Sequence, residues 1–77
     1  MLDVSLSRNG LTRYWLITKW AERWSCSYTE GHCVKYGACG TLALAQAKKA
    51  EWEQEIASAR ANGWADHHPK THPAIGL

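Results

Sequence analysis

The sequence predicts an α+β fold: a three- or four-stranded antiparallel sheet packed on one C-terminal helix, in two layers. Three observations carry that reading. Apolar and polar residues alternate through much of the first part of the chain, the period of a strand with one buried face. Asn9-Gly10 stands between two such runs, and this dipeptide suits the type I′ turn of a tight hairpin. Residues 42–61 are almost wholly Ala, Leu, Lys, Glu, Gln and Arg, the strongest helix formers. Strands grouped ahead of a helix place the chain in the α+β class.

The elements follow in order. Leu2, Val4 and Leu6 alternate with Asp3, Ser5 and Ser7, which predicts a first strand over 2–8. Leu11 to Trp20 is a second, longer strand, rich in aromatic and β-branched residues. Ala21-Glu22-Arg23 is a polar break. Trp24, Cys26 and Tyr28 then alternate with Ser25, Ser27 and Thr29 as a third strand. Glu30-Gly31 turns the chain, Cys33 to Tyr36 forms a fourth short strand, and Gly37 to Gly40 is a loop. Thr41 is a suitable N-cap for the helix, and Asn62-Gly63 supplies its stop. At 100° per residue, Ala45, Trp52, Ile56 and Ala59 form the stripe that faces the sheet. A second stripe of Ala43, Ala47, Ala50, Ala57 and Ala61 is small enough to let another helix approach, as from a second copy. Residues 1–63 make one α+β domain. Residues 64–77, with Pro69 and Pro73 among histidines, read as an irregular tail anchored by Trp64.

The chain has 77 residues, enough for one domain. A core of this size contributes only about 3–5 kcal/mol, so each large apolar residue matters. Five Trp, three Tyr and no Phe is an unusual supply, and one or two indoles are expected at a surface where a partner binds. The longest apolar runs, Tyr14 to Ile17 and Leu42 to Ala45, are far short of the roughly 20 residues of a membrane span. The first ten residues hold no apolar export segment, which predicts a cytoplasmic protein. Three cysteines, an odd number, are simplest as free thiols in a reducing compartment. A net charge of +2 comes without any basic run of the kind that marks a phosphate-binding patch.

The second strand is the informative element for function. One face carries Tyr14, Leu16, Thr18 and Trp20; the other carries Leu11, Arg13, Trp15, Ile17 and Lys19. Neither is polar, so one apolar set is left to be covered by the folded-back tail, by a second copy or by another partner. The face of Arg13, Trp15, Ile17 and Lys19 is expected to point outward because it holds the two cations. An exposed indole flanked by cations serves as a protein hot spot or stacks a nucleobase. Trp24 and Trp52, joined by Trp20, are assigned to the core.

Other chemistry is weaker. Cys33, Cys39, His67 and His72, with His32 or Cys26 as substitutes, suggest a Cys₂His₂ zinc site, but there is no Cys-x-x-Cys pair and a whole helix intervenes. Buried thiols and solvated histidines are the simpler account, and no metal or cofactor is expected. Cys39 and His32 could be drawn as nucleophile and base, yet two residues chosen from three Cys and four His carry little weight. Gly37 to Gly40 lacks the Lys-Ser/Thr of a phosphate loop. A non-enzymatic protein is expected.

The run from Gly40 through Thr41-Leu42-Ala43-Leu44-Ala45-Gln46-Ala47-Lys48-Lys49-Ala50-Glu51 to Trp52, after Trp- and Tyr-bearing strands, resembles the plan of small phage and prophage accessory proteins, some anti-CRISPR proteins among them. The likeness covers roughly residues 11–60. It implies an inhibitor that binds and sterically blocks a host protein or complex such as a bacterial CRISPR–Cas complex. Three strands and a helix are also similar to the AP2-like DNA-binding domains of phage integrases, whose sheets are thick with Arg and Lys. Ala47-Lys48-Lys49-Ala50 partly matches the last helix of double-stranded-RNA-binding domains, although Glu51 stands where a basic residue belongs. These imply the alternative, a small DNA- or RNA-binding module on the exposed sheet face. A homodimer is a further option.

Overall fold

A computed structural model describes residues 1–67. Four strands run as a meander, β1 (Leu2–Arg8), β2 (Leu11–Trp20), β3 (Arg23–Glu30) and β4 (Cys33–Gly40). Helix α1 (Leu42–Ala61) follows, and then a two-residue strand, β5 (Ala65–Asp66). All neighbours in the sheet are antiparallel, in the order β4-β3-β2-β1-β5.

Three two-residue turns set the registers. Asn9 and Gly10 both take positive φ (54° and 81°), the type I′ geometry that their sequence favours. This turn pairs Leu2 with Ile17, Val4 with Trp15 and Leu6 with Arg13. Gly31 (φ 61°) opens the β3–β4 turn. Ala21 opens the β2–β3 turn with φ 57°, a conformation that disfavours a residue with a Cβ. That turn sets Ile17 opposite Cys26 and Trp15 opposite Tyr28. Between β3 and β4 the register shifts: Tyr28 pairs with Tyr36 but Thr29 pairs with Val34, so Lys35 is an extra residue on β4, a β-bulge.

Both ends of α1 are built as their residues suggest. The Thr41 side chain accepts a hydrogen bond from the Leu44 backbone N–H. At the other end Gly63 (φ 95°) donates to the Arg60 carbonyl and Trp64 to the Ala59 carbonyl, the paired bonds of a Schellman motif. Ala45, Trp52, Ile56 and Ala59 are the buried helix residues, the stripe expected from periodicity.

The core lies between helix and sheet. Leu2 and Leu6 of β1, Trp15 and Ile17 of β2 and Cys26 of β3 meet the helix stripe there, with Val4, Trp24, Tyr28 and Trp64 packed around them. Among the described residues no helix is long and apolar enough to cross a membrane.

Several expectations are corrected. The sheet has five strands, and the helix is followed by β5. The segment 37–40, read as loop, continues β4, because backbone pairing with Trp24 to Ser27 holds it as strand whatever its small side chains suggest. The domain also passes residue 63. Trp64 packs on the core, β5 pairs with β1, and the His67 N–H donates to the Ser5 carbonyl. The remainder of the expected tail lies outside the described residues.

Candidate interaction surface

The expected binding face is the buried one. Trp15 and Ile17 are fully buried beneath α1. The Trp15 indole finds a polar partner, donating to Glu55 Oε1 at 3.4 Å. Their cations do not point this face to water. Arg13 is half-buried at the end of the helix layer, with its guanidinium over the rings of Trp15 (4.8 Å), Trp64 (5.1 Å) and Tyr28 (5.6 Å). Its Nε donates to the Tyr28 hydroxyl (2.6 Å), which donates in turn to Glu30 Oε2 (2.6 Å). A planar, weakly hydrated guanidinium suits such a stack. Lys19 is exposed near the end of β2. The two cations therefore mark no outward face, and the proposed quartet of Arg13, Trp15, Ile17 and Lys19 does not form an accessible patch.

The opposite face is the open one; among the described residues no element lies on it. The registers arrange it in rows. Ser7 stands beside Thr12; Ser5, Tyr14 and Thr29 form the next row; Asp3, Leu16 and Ser27 the next; then Thr18 beside Ser25; and last Trp20 beside Arg23. It is a carpet of short hydroxyl side chains with four large apolar or aromatic groups, Tyr14, Leu16, Trp20 and, opposite Thr29, the exposed Val34. Tyr14 and Leu16 are half-buried among their neighbours, whereas Trp20 is 80% exposed. Trp20, expected in the core, is thus the most exposed large apolar side chain among the described residues.

A shallow depression of about 490 Å³ opens at the β5 side of this face, lined by Asp3, Ser5, Tyr14, Thr29 and His67 among others. Burial, reinforced by a hydrogen bond and the negative charge of Asp3, holds the Tyr14 phenol above its ordinary pKa. The phenol therefore stays a neutral donor and acceptor across physiological pH.

Charge is mostly spent within the fold. Arg8 lies over the Trp64 ring (4.9 Å) and donates to the Asn62 carbonyl (2.7 Å). Lys48 pairs with Glu51 (3.1 Å), Lys49 with Glu53 (2.6 Å) and Arg60 with Asp66 (2.9 Å). Arg23 is the cation whose register position adjoins Trp20 on the open face. A phosphate-tracking stripe needs several unspent cations in line, and among the described residues this face does not present one.

Among the described residues, no three His, Cys, Asp or Glu side chains converge to hold a metal ion. Of the residues named for zinc, His72 lies outside the described part. His32 sits in the β3–β4 turn and Cys39 near the far end of β4. At about 3.3 Å per residue along a strand the two are roughly 20 Å apart.

Comparison with protein families, with curated proteins and with solved structures finds no match to this chain.

Charge is a poor guide to the orientation of β2, because Arg13 folds inward over three aromatic rings, and Trp20 lies on the face that charge assigns to the core. The usable signal was the turn. A two-residue Asn9-Gly10 hairpin places Leu2, Val4 and Leu6 opposite Ile17, Trp15 and Arg13, so the apolar side of the first strand and Trp15 must share a face.

Proposed function

We propose that this chain is a non-enzymatic binding protein that docks the open face of its sheet onto a partner protein or complex in the cytoplasm and blocks it sterically. The exposure of Trp20, on a strand anchored at its centre by Trp15 and Ile17, carries this reading. An indole presented from a rigid sheet loses little conformational entropy on binding, which suits it to anchor an interface. Around it, Ser, Thr and Tyr supply adaptable hydrogen bonds, the composition of many protein-binding surfaces. The likeness to phage accessory proteins suggests a bacterial CRISPR–Cas complex as the specific target.

The alternative is a DNA- or RNA-binding module using the same face, with Trp20 stacking a base beside Arg23. Capture of partners from nuclease-treated lysate separates the two. The protein reading expects a partner retained after nuclease, with little loss as salt rises, and released by Trp20→Ala. A partner lost with nuclease and weakening linearly in log–log salt terms supports the nucleic-acid reading instead. Retention unchanged by Trp20→Ala and Tyr14→Ala together removes the open face from consideration.

A further inference from the structure

The two edges of the sheet are treated differently. On one side β5 pairs with Leu6 and Ser7 towards the end of β1, and His67 extends that cover to Ser5. On the other side β4 has a partner only in β3, so among the described residues its outer row of backbone donors and acceptors meets no strand. Such an edge is a template for pairing with another chain.

Beside this edge, on the helix side, lies a groove of about 290 Å³. Its lining includes Trp24, Tyr36, Gly40, Leu44 and Lys48. Tyr36 meets the Trp52 ring edge-on (5.8 Å) yet remains 38% exposed, and Leu44 is 62% exposed. Gly40 has no side chain of its own there, and Leu44 packs over it, with Cδ1 2.8 Å from where a Cβ would be.

We propose that β4 pairs antiparallel with β4 of a second copy of this chain, over Tyr36 to Gly40, to form a two-fold dimer with one continuous sheet. The register that sets residue 38 opposite residue 38 of the other copy also sets Tyr36 opposite Gly40. In that register the large helix-side residue of one strand stands beside the residue that lacks a side chain on the other. Tyr36 of each copy then closes the open side of the other's groove against Leu44. The contact is self-complementary, as a two-fold interface requires. The bulge at Lys35 lies just outside the paired segment, where it does not break the ladder. Registers centred near Lys35 would bring two like charges face to face, which disfavours them. This inference is independent of the open-face reading, because β4 pairing leaves Trp20 exposed.

Sedimentation equilibrium of the full chain over a concentration series is the test, with thermal melting of each variant to show that it folds. A dimer is expected. Tyr36→Ala and Leu44→Asp, both at exposed positions, should each weaken it by about tenfold or more. Register is read by Ala38→Cys in a background of Cys33→Ser and Cys39→Ser. Mild oxidation should cross-link that variant, and not a matching Val34→Cys variant, because directly opposed Cβ atoms lie about 4.5–5.5 Å apart. A monomer at every concentration overturns the proposal, since the edge is then left to another occupant or to water. So does a dimer indifferent to both groove substitutions, or equal cross-linking from positions 34 and 38.

Discussion

Trp15 and Trp20 share one strand and project from opposite faces of the sheet, one fully buried and one 80% exposed. Their replacement should therefore have opposite signatures. Trp15→Ala empties the centre of the core and is expected to cost about 3–5 kcal/mol in urea denaturation. Trp20→Ala should change stability by no more than about 0.5 kcal/mol. Equal losses at the two positions would contradict the face assignment. Ala21, next to Trp20, holds φ at 57° in a turn that glycine would adopt without strain. Relief of that strain, less the greater freedom of glycine in the unfolded chain, leaves Ala21→Gly stabilising by about 0.5 kcal/mol. A lower melting temperature for this variant would show that the turn is not strained. At this scale the cations were the misleading residues. Arg13 carries a full charge and still lies inward, because three aromatic rings and a phenol hydroxyl replace part of its water.

Among the elements, the helix was the most legible. Its cap, its stop and its buried stripe all follow from local rules that need no knowledge of the sheet. Thr41→Ala removes the side-chain acceptor for the Leu44 N–H and should cost about 1 kcal/mol. Gly63→Ala meets only an ordinary contact with the Arg8 side chain, so its expected cost of about 1–2 kcal/mol is one of backbone conformation. Denaturation midpoints of both variants check the two values. β5 is the element that local rules miss. Two residues have no period of their own, and what keeps them in the sheet is tertiary: Trp64 stacked by Arg8 and Arg13, and Asp66 clasped by Arg60. The Arg60–Asp66 pair is exposed on both sides and contributes little by itself. Trp64→Ala should loosen β5 more than Asp66→Asn does, read as hydrogen exchange at the His67 amide. The reverse order would make the ion pair the main clasp.

At the scale of the molecule, Tyr14, Tyr28 and Lys48 are shifted by the fold in the same direction. Burial and the Glu30 hydrogen bond, opposed by Arg13, hold the Tyr28 phenol above its ordinary value of 10.0. Burial and Asp3 do the same for Tyr14, and the Glu51 hydrogen bond raises Lys48. A group whose pKa is raised on folding contributes stability that is whole below its unfolded pKa and is lost as pH climbs through the folded one. Stability from these groups should be level through neutral pH and decline once pH passes about 10, the tyrosine value of the unfolded chain. Urea midpoints across the alkaline range check this, and Tyr28→Phe should make the decline shallower. An unaltered decline in that variant would remove Tyr28 from the account.

Local chemistry in the sequence determined the meander, the helix and its ends, and the α+β class, because turn dipeptides, caps and periodicity act over a few residues. The sequence also held the pairing of the first two strands, in the length of the Asn9-Gly10 turn, and through it the burial of Trp15. Only the tertiary structure decided three things: that Arg13 folds into an aromatic cage, that β4 runs on to Gly40, and that two residues beyond the helix pair with the end of β1. Each depends on groups distant in the chain meeting in space, where stacking, ladder pairing and burial outweigh local preference. That meeting also leaves β4 as a sheet edge without a further described partner, whereas the exposure of Trp20 follows by strand alternation from the turn that buries Trp15.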